Sequence, residues 1–443
     1  MAISRRALLT GSLLAVAGCS RPTPLPTAPT PSPSPSPSAS PTTTDLAVSS
    51  TIRALVGAGP FGTELVEGAR NALPDGVTLA TPTTDDVPTA FLHGAGVDLI
   101  HNTGTRRLAL ARASQHLADL TSILDEALDD GTPRRDRIRD MALTPGTVGG
   151  RQVAVHRLLV AHGIWYSDRD LSNLGATAPR TWDELVALGE APGEGRHLFA
   201  WDPGCAADYL DLALTLAVKE AGSGLATAID GLAPDAWHHD AVAQAFAHLQ
   251  RLVATTQLRE VPAARTSWAA GDGPLLHPAG ATILRHTHGA RDEGFLPVVS
   301  PVPTMSDEPA LPFETARVSP EAPLCIPRTA PNLDGARALL RILLAGDTAQ
   351  AFTTRYEVPS TVRGTTPTEQ PPTLRTQVRL VADAGDHTID WRFLDHYGLR
   401  PRADQLMTAF LRGRATPTAT IAAFQSMADE VRADPDALHL RVS

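Results

Sequence analysis

Aromatic side chains are scarce, at 5% of 443 residues. Each one outside a core pattern is therefore informative. Lysine is nearly absent: Lys219 is the sole example, which we read as compositional bias without functional content. Positive charge is not in excess. The net charge is −10 and no basic stripe offsets it, which argues against a nucleic-acid partner. Catalytic motifs are missing too. There is no Gly-x-Ser-x-Gly elbow, no His-Glu-x-x-His and no pair of carboxylates in catalytic register. Gly57-Ala58-Gly59-Pro60-Phe61-Gly62 is glycine-rich, but Pro60 removes an amide donor and weakens it as a phosphate cradle. Past the N-terminus no apolar run approaches the about 20 residues that span a bilayer.

The N-terminus carries an address. Arg5 and Arg6 precede an apolar run from Ala7 to Val16, then Val16-Ala17-Gly18-Cys19. Small residues before a cysteine form a lipobox, so residues 1–18 read as a lipoprotein signal peptide and Cys19 as the lipidated first residue of the mature chain. Ser4-Arg5-Arg6-Ala7-Leu8-Leu9 also resembles a twin-arginine motif, departing from it at Leu8 and Thr10, so Sec and Tat export both stay open. The expected location is the outer face of a bacterial cytoplasmic membrane. Residues 19–44 are a Pro/Ser/Thr-rich linker that buries nothing. At about 3.1 Å per residue it could reach roughly 75 Å. About 400 residues remain, enough for two domains. Of the three cysteines, Cys205 and Cys325 are left over from the anchor. A bridge between them stays open, although a body of this size needs no staple. Neither has a Cys-x-x-Cys neighbour, so no metal is expected there.

The body reads as α/β. Thr51–Val56, Val77–Ala80 and Val97–Ile100 are strand-like, separated by helical spacing such as Thr63–Ala72. That alternation marks a parallel sheet, whose ligands bind at the carboxyl ends of strands. It draws attention to His101, Asn102 and Thr103, which a plain turn would also explain. Gly150–Val155 and Ile164–Ser167 read as two strands crossing between lobes. Thr181-Trp182-Asp183-Glu184 is a capping box opening a helix to about Glu190. Ala206–Ala221 and Asp240–Thr256 are longer helices. Asn332 caps a helix over 334–344, and Asp347 caps the next, to about Tyr356.

Sugar recognition needs flat rings and forked polar groups. Trp201 ends a strand-like run, with Tyr209 on the following helix; core packing is the competing account of Trp201. Trp391 reads as core. His156, His162, His277, His286 and His288 raise the question of a metal, but His286 and His288 would point apart on a helix, so no metal and no cofactor are expected.

Several segments together carry a resemblance: the lipobox, Asp98-Leu99-Ile100-His101-Asn102, Gly150–Val155, Trp165-Tyr166-Ser167 and Pro179–Leu185. With them the chain resembles the extracellular solute-binding proteins (family 1) of bacterial ABC importers. Leu198–Trp201, Leu232–His239, Leu311–Glu314 and Trp391-Arg392-Phe393 make it most similar to the N-acetylglucosamine/diacetylchitobiose-binding lipoproteins. The resemblance implies a two-lobed periplasmic-binding-protein type II fold with a hinge and an interlobe cleft. It assigns residues 45–155 and 310–365 to lobe 1, and 156–309 and 366–443 to lobe 2. It implies a monomer that captures a carbohydrate without turnover and docks on permease subunits. The ligand-binding positions it carries over are Asn102, Trp201, Tyr209 and Arg317. At two further positions this chain departs from its relatives. His277 stands where an aromatic is usual and Thr282 where a Trp stacks on sugar, so the identity of the sugar stays open. An exported enzyme or a signalling scaffold on the same fold is the alternative.

Overall fold

The computed structural model describes residues 51–94, 96–190, 196–287 and 294–440. The signal peptide, Cys19, the linker and His288 lie outside the described residues.

Nine strands position the site: β1 (Thr51–Gly57), β2 (Thr78–Ala80), β3 (Leu99–His101), β4 (Val155–Ser167), β5 (His197–Trp201), β6 (Leu258–Glu260), β7 (Pro274–Gly280), β8 (Pro297–Ser300) and β9 (Ala316–Cys325). In space they run β2-β1-β3-β9-β4-β7-β5-β6, with β8 also on β4. The group β2-β1-β3 is parallel, and so is β7-β5-β6. Between them lie β9 and β4, antiparallel to each other and to their outer neighbours. One sheet thus holds two parallel α/β units joined through a central antiparallel pair.

Strand β4 is the joint. Its first half, Val155 to Ala161, pairs with β9. Its second half, His162 to Tyr166, pairs with β7. The sequence suggests two short strands here, and the structure corrects this. Arg151–Gln152 belongs to a separate small hairpin with Thr147–Val148, and one strand of 13 residues runs unbroken from Val155. The polar residues His156, Arg157 and His162 masked it. His156 and Arg157 are buried and His162 is half-buried; the Arg157 guanidinium donates to Ser360 Oγ at 2.5 Å and to the Leu343 carbonyl. A strand buried along nearly its whole length loses the alternation by which strands are recognised.

Helices follow the sequence closely where a cap is strong. Thr181 Oγ1 accepts from the Glu184 amide at 3.2 Å, and Glu184 reaches back to the Thr181 and Arg180 amides at 3.4 and 2.7 Å. Asn332 Oδ1 accepts from the Gly335 amide at 2.9 Å, opening the helix Leu333–Leu343. Asp347 is a correction: Ala345 occupies the cap of the helix Gly346–Tyr356, and Asp347 lies in its first turn, where a carboxylate favours the helix dipole without capping. The helix opening at Gly62 stops at Glu67, and a single 3₁₀ turn, Arg70–Ala72, completes the predicted stretch.

Two large cores flank the joint. One gathers β1, β3 and β9 with Leu339 and Leu343, and extends through Trp268, Ile283, Val299 and Leu380. The other surrounds α1 (Ala206–Ala221), where Trp237 stacks on Phe424 with centroids 4.5 Å apart. Trp391 is buried, as read from the sequence. Cys205 and Cys325 are buried free thiols.

Lys219, near the end of α1, is wholly buried. Its ammonium donates to the Phe313 carbonyl at 2.7 Å and to that of Val302. Burial lowers its pKa from 10.5 to about 7. The unfolded chain then binds more protons between those two values, so folded stability rises with pH across that window. A Lys219→Met variant should lack this rise. Denaturant titrations at pH 7 and pH 10 should move the stability difference toward the wild type at the higher pH, and the opposite trend contradicts the assignment. Thr181→Ala should cost about 1 kcal/mol, read as a lower denaturation midpoint at unchanged slope.

Candidate functional site

A cleft of about 1210 Å³ opens at the carboxyl ends of β1 and β3. Its floor is the central strand pair: Leu158, Val160 and His162 from β4, with Glu321 and Ala322 from β9. One wall is the loop after β1 and the loop after β3. These loops press backbone on backbone. A Cβ on Gly57 would fall 2.0 Å from the Thr103 carbonyl oxygen, and one on Gly59 would fall 2.5 Å from the Gly104 nitrogen. The glycine-rich segment thus serves close approach rather than phosphate binding. The opposite wall is the start of α1, with Cys205, Asp208 and Asp211, joined by Arg265 and Thr282.

Phe352 and Tyr356 supply the aromatic surface of the lining. They sit four residues apart on the helix Gly346–Tyr356, so they share a face. Their ring centroids are 4.7 Å apart, and Phe61 packs against both.

The remaining lining is dominated by charge. Arg107 is bound 3.2 Å from Glu321 and 3.2 Å from Asp395. Arg400 grips Asp395 with both arms of its fork, at 2.9 and 3.1 Å. Burial pushes the Asp395 carboxyl up, but Arg107 and Arg400 outweigh it and hold the group well below the usual range. Arg285, after β7, pairs with Glu64, after β1, so an ion pair links the two walls. Near the start of β9, Arg317 binds Asp211 at 2.8 Å and lies over the Trp391 ring at 4.5 Å. Burial opposes the Arg317 cation, and Asp211 and Asp390 overcome it, leaving its pKa raised.

The residues singled out from sequence divide by depth. Thr282 lines the cleft. His277 lies just behind the wall, wholly buried, 3.4 Å from Asp208. Arg317 is buried and positions Asp211. Asn102 is also buried, and its amide clamps the Leu108 backbone through bonds of 3.0 and 2.6 Å. Its neighbour Thr103 is the one that reaches the cleft. Trp201 is packed in the core, and Tyr209 donates to the Ala200 carbonyl at 2.7 Å. His101 is buried against the Gly62 carbonyl at 3.1 Å, and burial lowers its pKa to about 4. Sequence reasoning missed Arg107, Arg265, Arg400 and Tyr356. Phe352 and Tyr356 had a signal in their helical spacing; the arginines had none, because their partners come from distant segments.

Comparison with known proteins agrees with this architecture. Residues 75–349 match the family model described as bacterial extracellular solute-binding protein. The diacetylchitobiose binding protein NgcE of Streptomyces coelicolor is 28% identical over 418 residues, covering 90% of this chain and 88% of that protein. A solved chitin oligosaccharide binding protein superposes with a TM-score of 0.68 at 17% identity, over 87% of this chain and 100% of its own. A sugar transporter from Arthrobacter chlorophenolicus with bound laminaribiose gives 0.67 at 14%, over 86% and 99%. The fold is the two-lobed one of periplasmic-type binding proteins, with the β4–β9 pair as its joint and the cleft between the lobes. The chain belongs to the bacterial extracellular solute-binding protein family.

Proposed function

We propose that this protein captures a carbohydrate for a bacterial ABC importer and delivers it, chemically unaltered, to permease subunits. The observation that carries the reading is the cleft itself. It is large enough for a small oligosaccharide, lies where strand ends meet in two α/β units, and presents the half-buried Tyr356 ring, backed by Phe352, beside forked polar groups. Rings pack on the C–H faces of sugars, while arginines and carboxylates match paired hydroxyls. The similarity to a diacetylchitobiose binding protein supports a chitin-derived or related sugar. Lobe 1 is taken as 45–155 and 310–365, and lobe 2 as 156–309 and 366–443. A ligand that touches both walls only when they are together favours closure by that difference in affinity. The protein acts as a monomer on the outer face of the cytoplasmic membrane, held by lipid at Cys19 across the linker.

Among the ligand-contacting residues we place Thr282, Thr103, Tyr356 and Arg265 in direct reach of the sugar. His277 and Arg317 act one layer back. Asn102, Trp201 and Tyr209 shape the walls.

A thermal-shift panel of mono- and oligosaccharides, with diacetylchitobiose included, tests the reading. At least one sugar should stabilise the protein, by about 2.7 kcal/mol at a hundredfold excess over Kd. Tyr356→Ala should weaken that sugar by about 1 kcal/mol, roughly fivefold in Kd, without lowering the melting temperature of the free protein by more than a few degrees. A panel with no stabilising sugar contradicts the proposal.

A further inference from the structure

Three chemically different donors converge where α1 begins. Cys205 Sγ, a carboxylate oxygen of Asp208 and a ring nitrogen of His277 all lie within 4.8 Å of one another. Two elements bring them there. Cys205 is the residue before α1, and Asp208 follows in its first turn. His277 stands in the middle of β7, held in register opposite Trp165 of β4. The spacing of cysteines in the sequence could not show this, because the imidazole arrives from a distant strand.

The imidazole is the informative member. Its side chain is 0% exposed; Nδ1 makes no hydrogen bond among the described residues, and Nε2 has only a long contact to the Asp208 carboxylate. Nε2 is directed toward the cluster, 3.4 Å from Asp208 Oδ2. A polar ring placed so deep with one long contact is under-satisfied, and a further partner between Nε2 and the other two donors would complete it. Its surroundings hold it in place: Trp268 and Tyr209 lie against it with ring centroids 6.0 and 6.4 Å away. Cys205 is equally buried, whereas Asp208 keeps an 18% exposed side chain. Both Cys205 and Asp208 line the cleft, so the centre of the cluster has a route to solvent.

We propose that Cys205, Asp208 and His277 form a zinc site on the cleft wall, with its fourth coordination position open to the cleft. Sulfur, imidazole nitrogen and carboxylate oxygen together are the donor set of a borderline divalent ion. Three protein ligands with one open position is the zinc arrangement that accepts an exogenous donor, whereas closed structural sites have four. Charge balances as well. A thiolate and a carboxylate offset a dication. Arg265, which donates to Asp208 Oδ2 at 2.6 Å, orients the carboxylate from outside as partners of metal-bound carboxylates do. Asp202 lies close enough to Arg265 to act on its charge. As the sulfur–zinc bond forms, the Cys205 thiol proton leaves to solvent through the cleft. The open position then offers a cleft-bound molecule an oxygen or nitrogen contact that polar side chains alone do not supply.

Cobalt substitution tests the site without any sugar, so its outcome is independent of the carbohydrate reading. Purified protein, stripped by chelator and titrated with Co²⁺, should develop one equivalent of a thiolate-to-cobalt charge-transfer band with tetrahedral visible absorption, and Zn²⁺ should displace it. Cys205→Ser should remove the band, and His277→Gln should weaken binding at least tenfold. Cys325→Ser, on β9, should leave both unchanged. Circular dichroism melts establish that each variant is folded; if a variant is not, the presence of the charge-transfer band in wild type and in Cys325→Ser decides. Absence of a thiolate band in the wild type, or undiminished binding in folded Cys205→Ser, overturns the proposal.

Discussion

Strand β4 belongs to both halves of the sheet at once. Its first seven residues are tied to β9 and its last to β7 and β8, so whatever moves one parallel unit against the other must act through this strand pair. The cleft has the same origin. Its floor is the face of β4 and β9 between the two units, and its walls are the loops and helix starts that a parallel α/β unit always presents at its strand ends. Binding position and joint are therefore one piece of structure. A ligand on that floor lies at the pivot, where a small rotation changes the contacts of both walls.

The polar chemistry follows from placing so much charge around a deep groove. Arg107 joins Glu321 of the floor to Asp395 from near the end of the chain, and Arg400 holds the same carboxylate. Arg285 and Glu64 close on each other from opposite walls. Ions as enclosed as Arg107 and Glu321 must be paired and hydrogen-bonded to persist, and partners come from segments hundreds of residues apart, such as Arg107 and Asp395. The network thereby fixes the relation of the C-terminal segment to the first parallel unit. Interactions of this kind reward one arrangement of the walls sharply, because a displaced partner leaves a charge uncompensated.

Local signals were legible in the sequence where they rest on short-range chemistry. The Thr181/Glu184 box, the Asn332 cap and the helix Ala206–Ala221 follow from backbone amides and side chains a turn apart. The parallel unit around β1 and β3 also follows from pattern, as does the place of the loop after β3 at a strand end, where Thr103 rather than Asn102 lines the cleft. Strand β4 reads as two strands because its His156 and Arg157, both buried, and half-buried His162 look like surface residues until their partners are known. The same blindness governs the site. Trp201 and Tyr209 drew attention as scarce aromatics, yet scarcity does not distinguish a ring in a core from one in a groove. Arg265 and Arg400 carry no local signature, and the meeting of Cys205, Asp208 and His277 exists only once β7 is laid beside α1.

The central claim is that the groove above the β4–β9 pair holds a sugar between two walls. A crystal grown with the best-stabilising sugar measures this most directly. The account predicts sugar density in the cleft, with one ring against Tyr356 and hydroxyls within hydrogen-bonding reach of both the loop after β3 and the start of α1. Sugar bound elsewhere, or touching only one wall while the other stands apart, would contradict it.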